Sequence, residues 1–382
     1  MNKSVMIVAG EASGDLHGSG LVRELMQKEP ELEVFGVGGD KMKQQGARLL
    51  YHINEMSVLG IVDVIKRFRF FRRVYHDLVS ALKEKRPGIL ILIDYPGMNL
   101  KLAKAAQKIG IEVFYYIAPQ VWAWGANRIQ KMVKLVNRMA VIIPFEEKMF
   151  SDAGIDARFV GHPLLEVLKT RMSRSEFINA NHLENKKKII GLLPGSRQLE
   201  VKRLLPEMSC TVDTLIKKHD DIQVVVSRAS SVSKQLYEDI LNANCNIKIL
   251  EDQTYEIMKY SDLLIVASGT ATLESALFKT PLIIVYKVDP ISYQIGKRLV
   301  RIENIGLVNV IAEKTIVPEF IQNHFNCKEL VPAAETLLYN TEIREEIISD
   351  LTRIRNKLGE SGASARTAEL ILEMIDSKND DS

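Results

Sequence analysis

The chain has 382 residues, 46% of them apolar, enough to bury the cores of two domains. Lys and Arg number 51 against 48 Asp and Glu, and a net charge of +3 is too small an excess to mark a nucleic-acid binder. The three cysteines, Cys210, Cys245 and Cys327, are too dispersed for a zinc site or a disulfide scaffold and fit a reducing cytoplasm.

In chain order, the opening "MNKSVMIVAGEASGD" carries a short apolar run that stops at Glu11, a strand pattern rather than a signal peptide. No stretch reaches the ~18 consecutive apolar residues of a transmembrane helix, so any membrane contact is expected at the surface. β-rich runs follow at 4–10, 33–39, 88–94, 112–118 and 138–144, separated by longer helical stretches. That alternation is the signature of a parallel sheet covered on both faces. A polar, weakly periodic segment over 162–188 marks a domain joint. The same grammar restarts at 187–195 and continues through 222–228, 246–250, 262–269 and 281–287, and helical spacing returns over 342–376. The expected fold is α/β, with two Rossmann-like, doubly wound parallel-sheet domains. Their bounds are 1–165 and 166–345, with helices over 346–382 packing back across the domains.

Several loops carry candidate chemistry. In open α/β sheets ligands bind beyond the carboxyl ends of the strands, where a helix N-terminus offers free N–H groups to an anion. "LLPGSRQLEV" (192–201) ends a strand and opens a helix there. Gly195 lets the backbone approach a phosphate, Ser196 can cap the helix or donate its hydroxyl, and Arg197 can make a forked contact to phosphate oxygens. An ordinary capped turn with a surface Arg is the plainer reading of that loop alone. "SGTATLE" (268–274) repeats the device with Ser268, Gly269 and Thr270, and places Glu274 one turn into the helix. Two such loops suit a diphosphate, and a carboxylate one turn on suits ribose hydroxyls, though taken singly Glu274 reads as a helix-dipole partner. Neither loop is a Walker A motif or a complete G-x-G-x-x-G, which argues against ATP hydrolysis and dinucleotide redox chemistry.

Ahead of both, "GILILID" brings Asp94 to the end of a continuous apolar strand, with Pro96 and Gly97 making the turn. Segment 56–78 places Lys66, Arg67, Arg69, Arg72 and Arg73 among Phe68, Phe70 and Phe71, after the apolar Val58, Leu59, Ile61, Val62 and Ile65. That pattern suits a peripheral patch on an anionic leaflet, the alternative being an amphipathic helix whose aromatics face its own core.

Two Rossmann-like domains with the nucleotide loops in the second resemble the GT-B glycosyltransferases, whose domains face a cleft. More closely, "VAGEASGDLHG", "VGGDKM", "DYPGMN", "YYIAPQVWAWG", "FVGHPLLE", "LLPGSRQLEV" and "ASGTATLE", in this order, resemble the lipid-A-disaccharide synthase family. The resemblance spans nearly the whole chain. It implies an inverting hexosyltransferase that joins UDP-2,3-diacylglucosamine to 2,3-diacylglucosamine 1-phosphate in lipid A biosynthesis, releasing UDP. It implies work at the cytoplasmic leaflet of the inner membrane of a Gram-negative cell, with no nucleic-acid partner; a homodimer is left open. No cofactor is implied, and no acidic pair of the kind that holds magnesium is visible.

Such a displacement needs a base on the acceptor hydroxyl, and Asp94 is the expected one; capping or bracing the turn is its other reading. Glu11, Asp15 and His17 are the competitors, His17 having a suitable ordinary pKa. Acceptor contacts fall on Glu11, Ser13, Gly14, His17, Gln120 and Trp122, with Trp122 and Trp124 as an aromatic platform or as core. Asn309 is placed among the donor contacts, although Val308 stands where the family pattern has proline. A UDP-sugar 2-epimerase, another lipid-linked GT-B transferase, or a non-catalytic nucleotide-binding module are the rival readings.

Overall fold

A computed structural model describes residues 4–56, 68–122, 128–241, 247–290, 293–294 and 304–380. The chain divides into two units. The first comprises residues 1–166 and 358–382, and the second residues 167–357.

In the first unit the strands are β1 (Ser4–Ala9), β2 (Glu33–Gly38), β3 (Arg48–His52), β4 (Ile89–Ile93), β5 (Glu112–Tyr116), β6 (Arg138–Val141) and β7 (Asp156–Phe159). They form one seven-stranded sheet in the order β3-β2-β1-β4-β5-β6-β7, all pairs parallel. The helices are α1 (Ala12–Lys28), α2 (Asp40–Gln44), α3 (Ile53–Met56), α4 (Phe68–Lys85), α5 (Pro96–Lys108), α6 (Ile129–Val133), α7 (Pro144–Asp152) and α8 (Leu164–Val167). β4 reads "ILILI" and is buried along its whole length, as a central strand covered on both faces must be. Each such side chain contributes roughly 2 kcal/mol of burial. Val74, Leu78 and Leu82 recur every four residues on α4 and dock it to the core.

The second unit repeats the plan. Its strands are β8 (Lys188–Leu193), β9 (Ile222–Arg228), β10 (Ile247–Glu251), β11 (Leu263–Ala267), β12 (Leu282–Tyr286) and β13 (Glu319–Ile321), in the order β10-β9-β8-β11-β12-β13, again parallel. The helices are α9 (Arg174–Ala180), α10 (Gln198–Lys218), α11 (Lys234–Leu241), α12 (Thr254–Tyr260), α13 (Thr270–Leu277), α14 (Leu307–Ala312), α15 (Cys327–Tyr339) and α16 (Thr341–Lys357). The last helix, α17 (Ala363–Asp380), packs on α1, where Lys28 Nζ meets Glu369 Oε1 at 2.8 Å. The residues grouped as 346–382 in the sequence therefore divide, α16 with the second unit and α17 with the first.

Every strand expected from the sequence is present, and three more appear: β3, β7 and β13. All three are sheet edges, short and only partly buried, so they lack the long apolar run that betrays an inner strand. Among the described residues no helix is long and apolar enough to cross a membrane.

One glycine is demanded by the sheet itself. Gly36 on β2 has φ +147°, and a Cβ there would lie 1.9 Å from the Ile7 carbonyl oxygen of β1. A backbone atom on a paired central strand cannot step aside. Gly36→Ala should therefore lower stability by about 3 kcal/mol or more, read as a drop in thermal or denaturant midpoint.

Candidate active site

In each sheet the strand order reverses between two neighbours, β1 and β4 in the first, β8 and β11 in the second. Connections leave on opposite faces there, which opens a crevice beyond the carboxyl ends of those strands. The loops singled out by sequence follow these four strands: 10–17 after β1, 94–97 after β4, 194–197 after β8 and 268–270 after β11.

Asp94 directly follows β4. It and Tyr95 both adopt the left-handed conformation, φ 45° and 44°, which is costly for residues with a Cβ and persists only where the surroundings enforce it. Three contacts do so. Tyr115 Oη donates to the Asp94 carbonyl at 2.5 Å, Asn99 Nδ2 donates to it at 2.7 Å, and the Asp94 N–H donates to the Tyr116 carbonyl at 3.3 Å. Across the switch point, the Tyr95 ring lies against Gly10, where any Cβ would come within 2.4 Å of it. The N-cap of α5 is Tyr95, without a side-chain cap, so the Asp94 carboxyl is not spent on capping. Burial, and then the negative charge of Glu11, raise its pKa to about 6, against the opposing hydrogen bond from the Tyr95 N–H.

The competing bases fare differently. Asp15 is buried and accepts hydrogen bonds from the N–H groups of Gly39 (2.7 Å), Lys41 (3.2 Å) and Met42 (3.1 Å), so its carboxylate caps the start of α2. His17, expected in a pKa range suited to base work, is buried, and burial followed by the charge of Lys41 lowers it to about 4. Its neighbour His162 is likewise lowered to about 3 by burial and then by His17, and its Nδ1 accepts the Leu164 N–H at 3.2 Å. Both imidazoles are neutral at pH 7. Glu11 is exposed at the N-cap of α1, Ser13 is exposed in its first turn, and buried Gly14 lets the helix approach Ala9. Gln120 is exposed and Trp122 half-buried.

Glu146 was not singled out by sequence, yet it shares this region. It is 1% exposed at the start of α7, its Oε1 accepting the Trp122 indole N–H at 3.1 Å and its Oε2 the Ile143 N–H at 3.2 Å. Burial dominates the rise of its pKa to about 7, the charge of Asp94 adding to it against the hydrogen bonds from Trp122 and the Ile143 and Ile142 amides. A Glu in the first turn of a helix is commonplace, and only the tertiary contact to Trp122 distinguishes this one.

In the second unit a pocket of about 370 Å³ joins the two remaining loops, lined among others by Gly195, Ser196, Arg197, Thr254, Ser268, Gly269, Thr270 and Glu274. Gly195 has φ +105° and Gly269 φ +157° with open space at its missing Cβ, so both loops use glycine's freedom. The first loop differs from expectation in one respect. Arg197, not Ser196, is the N-cap of α10, and Glu200 reaches back to it. Glu200 Oε2 accepts the N–H groups of Ser196 (3.2 Å) and Arg197 (3.3 Å), and Oε1 pairs with the Arg197 guanidinium at 3.1 Å. An internal carboxylate thus sits on the groups suited to phosphate. Glu274 is half-buried and raised in pKa chiefly by burial, and its Oε1 accepts the Tyr255 hydroxyl at 3.3 Å.

The Asn309 side chain is engaged within the fold. Fully buried, it donates to the Val317 carbonyl (2.9 Å) and Glu319 Oε1 (2.7 Å) and accepts the N–H groups of Ile316 (2.9 Å) and Val317 (3.0 Å). The four hydrogen bonds its side chain can make are thus all met within the fold.

The membrane-facing expectation is partly redirected as well. Val58, Leu59, Ile61, Val62, Lys66 and Arg67 lie outside the described residues, as does the side chain of Phe68. Phe70 and Phe71 are half-buried against the core, with Phe70 edge-on to Tyr51 at 6.2 Å, whereas Arg69, Arg72 and Arg73 are exposed on α4.

Residues 5–374 match the family model described as lipid-A-disaccharide synthetase. The lipid-A-disaccharide synthase of Syntrophus aciditrophicus is 42% identical over 376 residues, covering 98% of each chain. That of Geobacter metallireducens is 40% identical over 378 residues, 99% of this chain and 98% of the other. Among solved structures, the UDP-GlcNAc 2-epimerase from Neisseria meningitidis bound to UDP-GlcNAc has a TM-score of 0.66 at 14% identity, covering 97% of this chain and 100% of that one. The calicheamicin glycosyltransferase has a TM-score of 0.63 at 12% identity and covers 99% of both. At such identity these structures speak for the GT-B fold alone, whereas the family match and the full-length relatives decide between transferase and epimerase. The chain belongs to the lipid-A-disaccharide synthase family of glycosyltransferases.

Proposed function

We propose that this enzyme transfers the 2,3-diacylglucosaminyl group of its UDP derivative to the 6-hydroxyl of 2,3-diacylglucosamine 1-phosphate. The new C–O bond forms on the face of the anomeric carbon opposite UDP, the bond to the diphosphate breaks, and the product is the β-1,6-linked disaccharide 1-phosphate. The observation that carries this reading is Asp94, a carboxylate enforced at the β1/β4 switch point with its pKa raised to about 6 in a chain of this family. A base of that strength is largely ionised near neutrality and takes up the hydroxyl proton as the oxygen attacks. The exposed start of α1 and the 120–122 segment serve the acceptor. In the second unit the amides of 195–197 and 268–270 with the Arg197 guanidinium receive the charge that develops on UDP, and Glu274 accepts from its ribose hydroxyls. The exposed arginines of α4 hold this unit to the anionic cytoplasmic leaflet, from which acylated substrates are drawn.

Asp94→Asn should reduce kcat by about 10² to 10⁴ while leaving UDP affinity unchanged, measured by disaccharide formation and calorimetry. Because the base must be deprotonated, kcat/KM of the unmutated enzyme should fall as pH drops through about 6, and the variant's residual rate should lack that limb. A near-normal rate would dismiss Asp94.

Glu200 competes with the diphosphate for the same donors. Glu200→Gln removes its charge while keeping an acceptor for the helix cap. UDP should then bind about tenfold tighter, the equivalent of one charge-assisted hydrogen bond, with the melting temperature little changed. Titration calorimetry decides this, and equal or weaker binding would make Glu200 a cap and nothing more.

Replacing Arg69, Arg72 and Arg73 together by Gln should weaken binding to anionic vesicles at low salt by about 10²-fold, at roughly 1 kcal/mol per charge. Cosedimentation measures it, and undiminished binding would move the contact elsewhere.

A further inference from the structure

Glu146 is a buried ionisable group that the mechanism above does not use. A glutamate in the first turn of a helix ordinarily reaches back to the N-cap amide and leaves its other oxygen in water. Here Oε2 does that for Ile143, but the side chain is 1% exposed and Oε1 is spent on the indole N–H of Trp122. The Trp122 ring is also packed edge-on against Phe145, ring centroids 5.6 Å apart. Trp122 is therefore held from two sides by the first turn of α7.

The segment so held is next to the base. It leaves β5, whose Tyr115 and Tyr116 fix the backbone of Asp94. Ile117, at φ 62°, turns the chain while its N–H donates to the Ala140 carbonyl of β6 at 3.0 Å, and Val121 is 1% exposed. The charge of Asp94 is felt at Glu146. Among the described residues, the groups that act on the Glu146 carboxyl are the Trp122 indole, the amides of Ile142 and Ile143, and Asp94; Asp94 in turn faces Glu11, Tyr95 and Tyr115, and the charge of Arg128 reaches Tyr115. Burying a carboxyl group is costly, and here one of its oxygens is spent on holding an indole rather than left in water, which points to a positional use.

We infer that Glu146 is a positioning residue of the transfer reaction: its carboxyl group fixes the Trp122 indole, and with it the acceptor-facing segment 119–122, beside the strand end that carries Asp94. The inference rests on the reading of Asp94 as base and Trp122 as an acceptor contact. Glu146 touches neither substrate. Its removal frees the indole and loosens the acceptor while leaving the donor site in the other unit intact.

The test uses the full-length enzyme in a Trp124→Phe background, where Trp122 is the sole tryptophan emitter. Glu146→Ala should shift the Trp122 emission to the red and raise the acceptor KM about tenfold, with UDP affinity unchanged. Glu146→Gln, which keeps one acceptor oxygen for the indole, should recover most of both. Trp122→Phe should raise the acceptor KM on its own, and adding Glu146→Ala to it should change KM little further, since the contact is already gone. Should Glu146→Ala fail to fold, Glu146→Met, which fills a similar volume and offers the indole no oxygen, carries the same comparison in both backgrounds. Unchanged emission and acceptor KM in folded Glu146 variants, with normal disaccharide formation by the parent, overturn the inference and leave the transferase reading standing. Failure of the unmutated enzyme to make disaccharide overturns both.

Discussion

The reversal of strand order at β1/β4 and again at β8/β11 is the constraint on which the chemistry depends. Parallel strands need right-handed crossovers, and where successive crossovers go to opposite faces the chain leaves two neighbouring strand ends uncovered. Asp94 stands at one of these ends and the Gly10 turn at the other, with the Tyr95 ring lying on the glycine between them. In the second sheet the same reversal joins the 195–197 and 268–270 loops around one pocket. Two loops separated by some seventy residues thus come to line one pocket without any local sequence signal linking them.

Burial then sorts the ionisable groups of the first unit. It raises carboxylic acids and lowers imidazoles, so Asp94 and Glu146 come to titrate near 6 and 7 while His17 and His162 fall to about 4 and 3. The side chains whose ordinary pKa suits base work are made too weak for it, and a carboxylate is brought into range. Asp15, drawn onto the three amides at the start of α2, is consumed by the fold. The same sign rule bears on stability. The two histidines favour the fold above pH 6.5, a contribution lost as pH falls toward their native values, whereas the raised carboxyls favour it on the acid side and lose that contribution as pH rises through 6 to 7. Between about pH 4.5 and 6 the opposing slopes largely cancel.

In the second unit the groups of the phosphate-ready loop are satisfied within their own helix turn. Arg197 and the amides beside it are paired with Glu200, three residues on along the same helix, so neither is left unsatisfied. Asn309 illustrates the opposite outcome, an amide of the right kind in the right motif whose four hydrogen bonds all go to the strand entry at 316–319.

The α/β class, the two sheets and the inner strands were legible in the sequence because each rests on a local apolar run, and the 195–197 and 268–270 loops and Asp94 could be singled out as candidates because a glycine turn or a residue following a strand is a local pattern too. The edge strands β3, β7 and β13 escaped it, since half-exposed edges carry little hydrophobic signal. What no local pattern reveals is that burial raises Asp94 while Asp15 caps α2, that the Asn309 side chain braces 316–319, that Phe70 and Phe71 pack on the core, and that Glu146 meets Trp122 and Glu200 meets Arg197. Those outcomes depend on desolvation and on hydrogen bonds between residues far apart in the chain, quantities that exist only once the strands have been brought side by side.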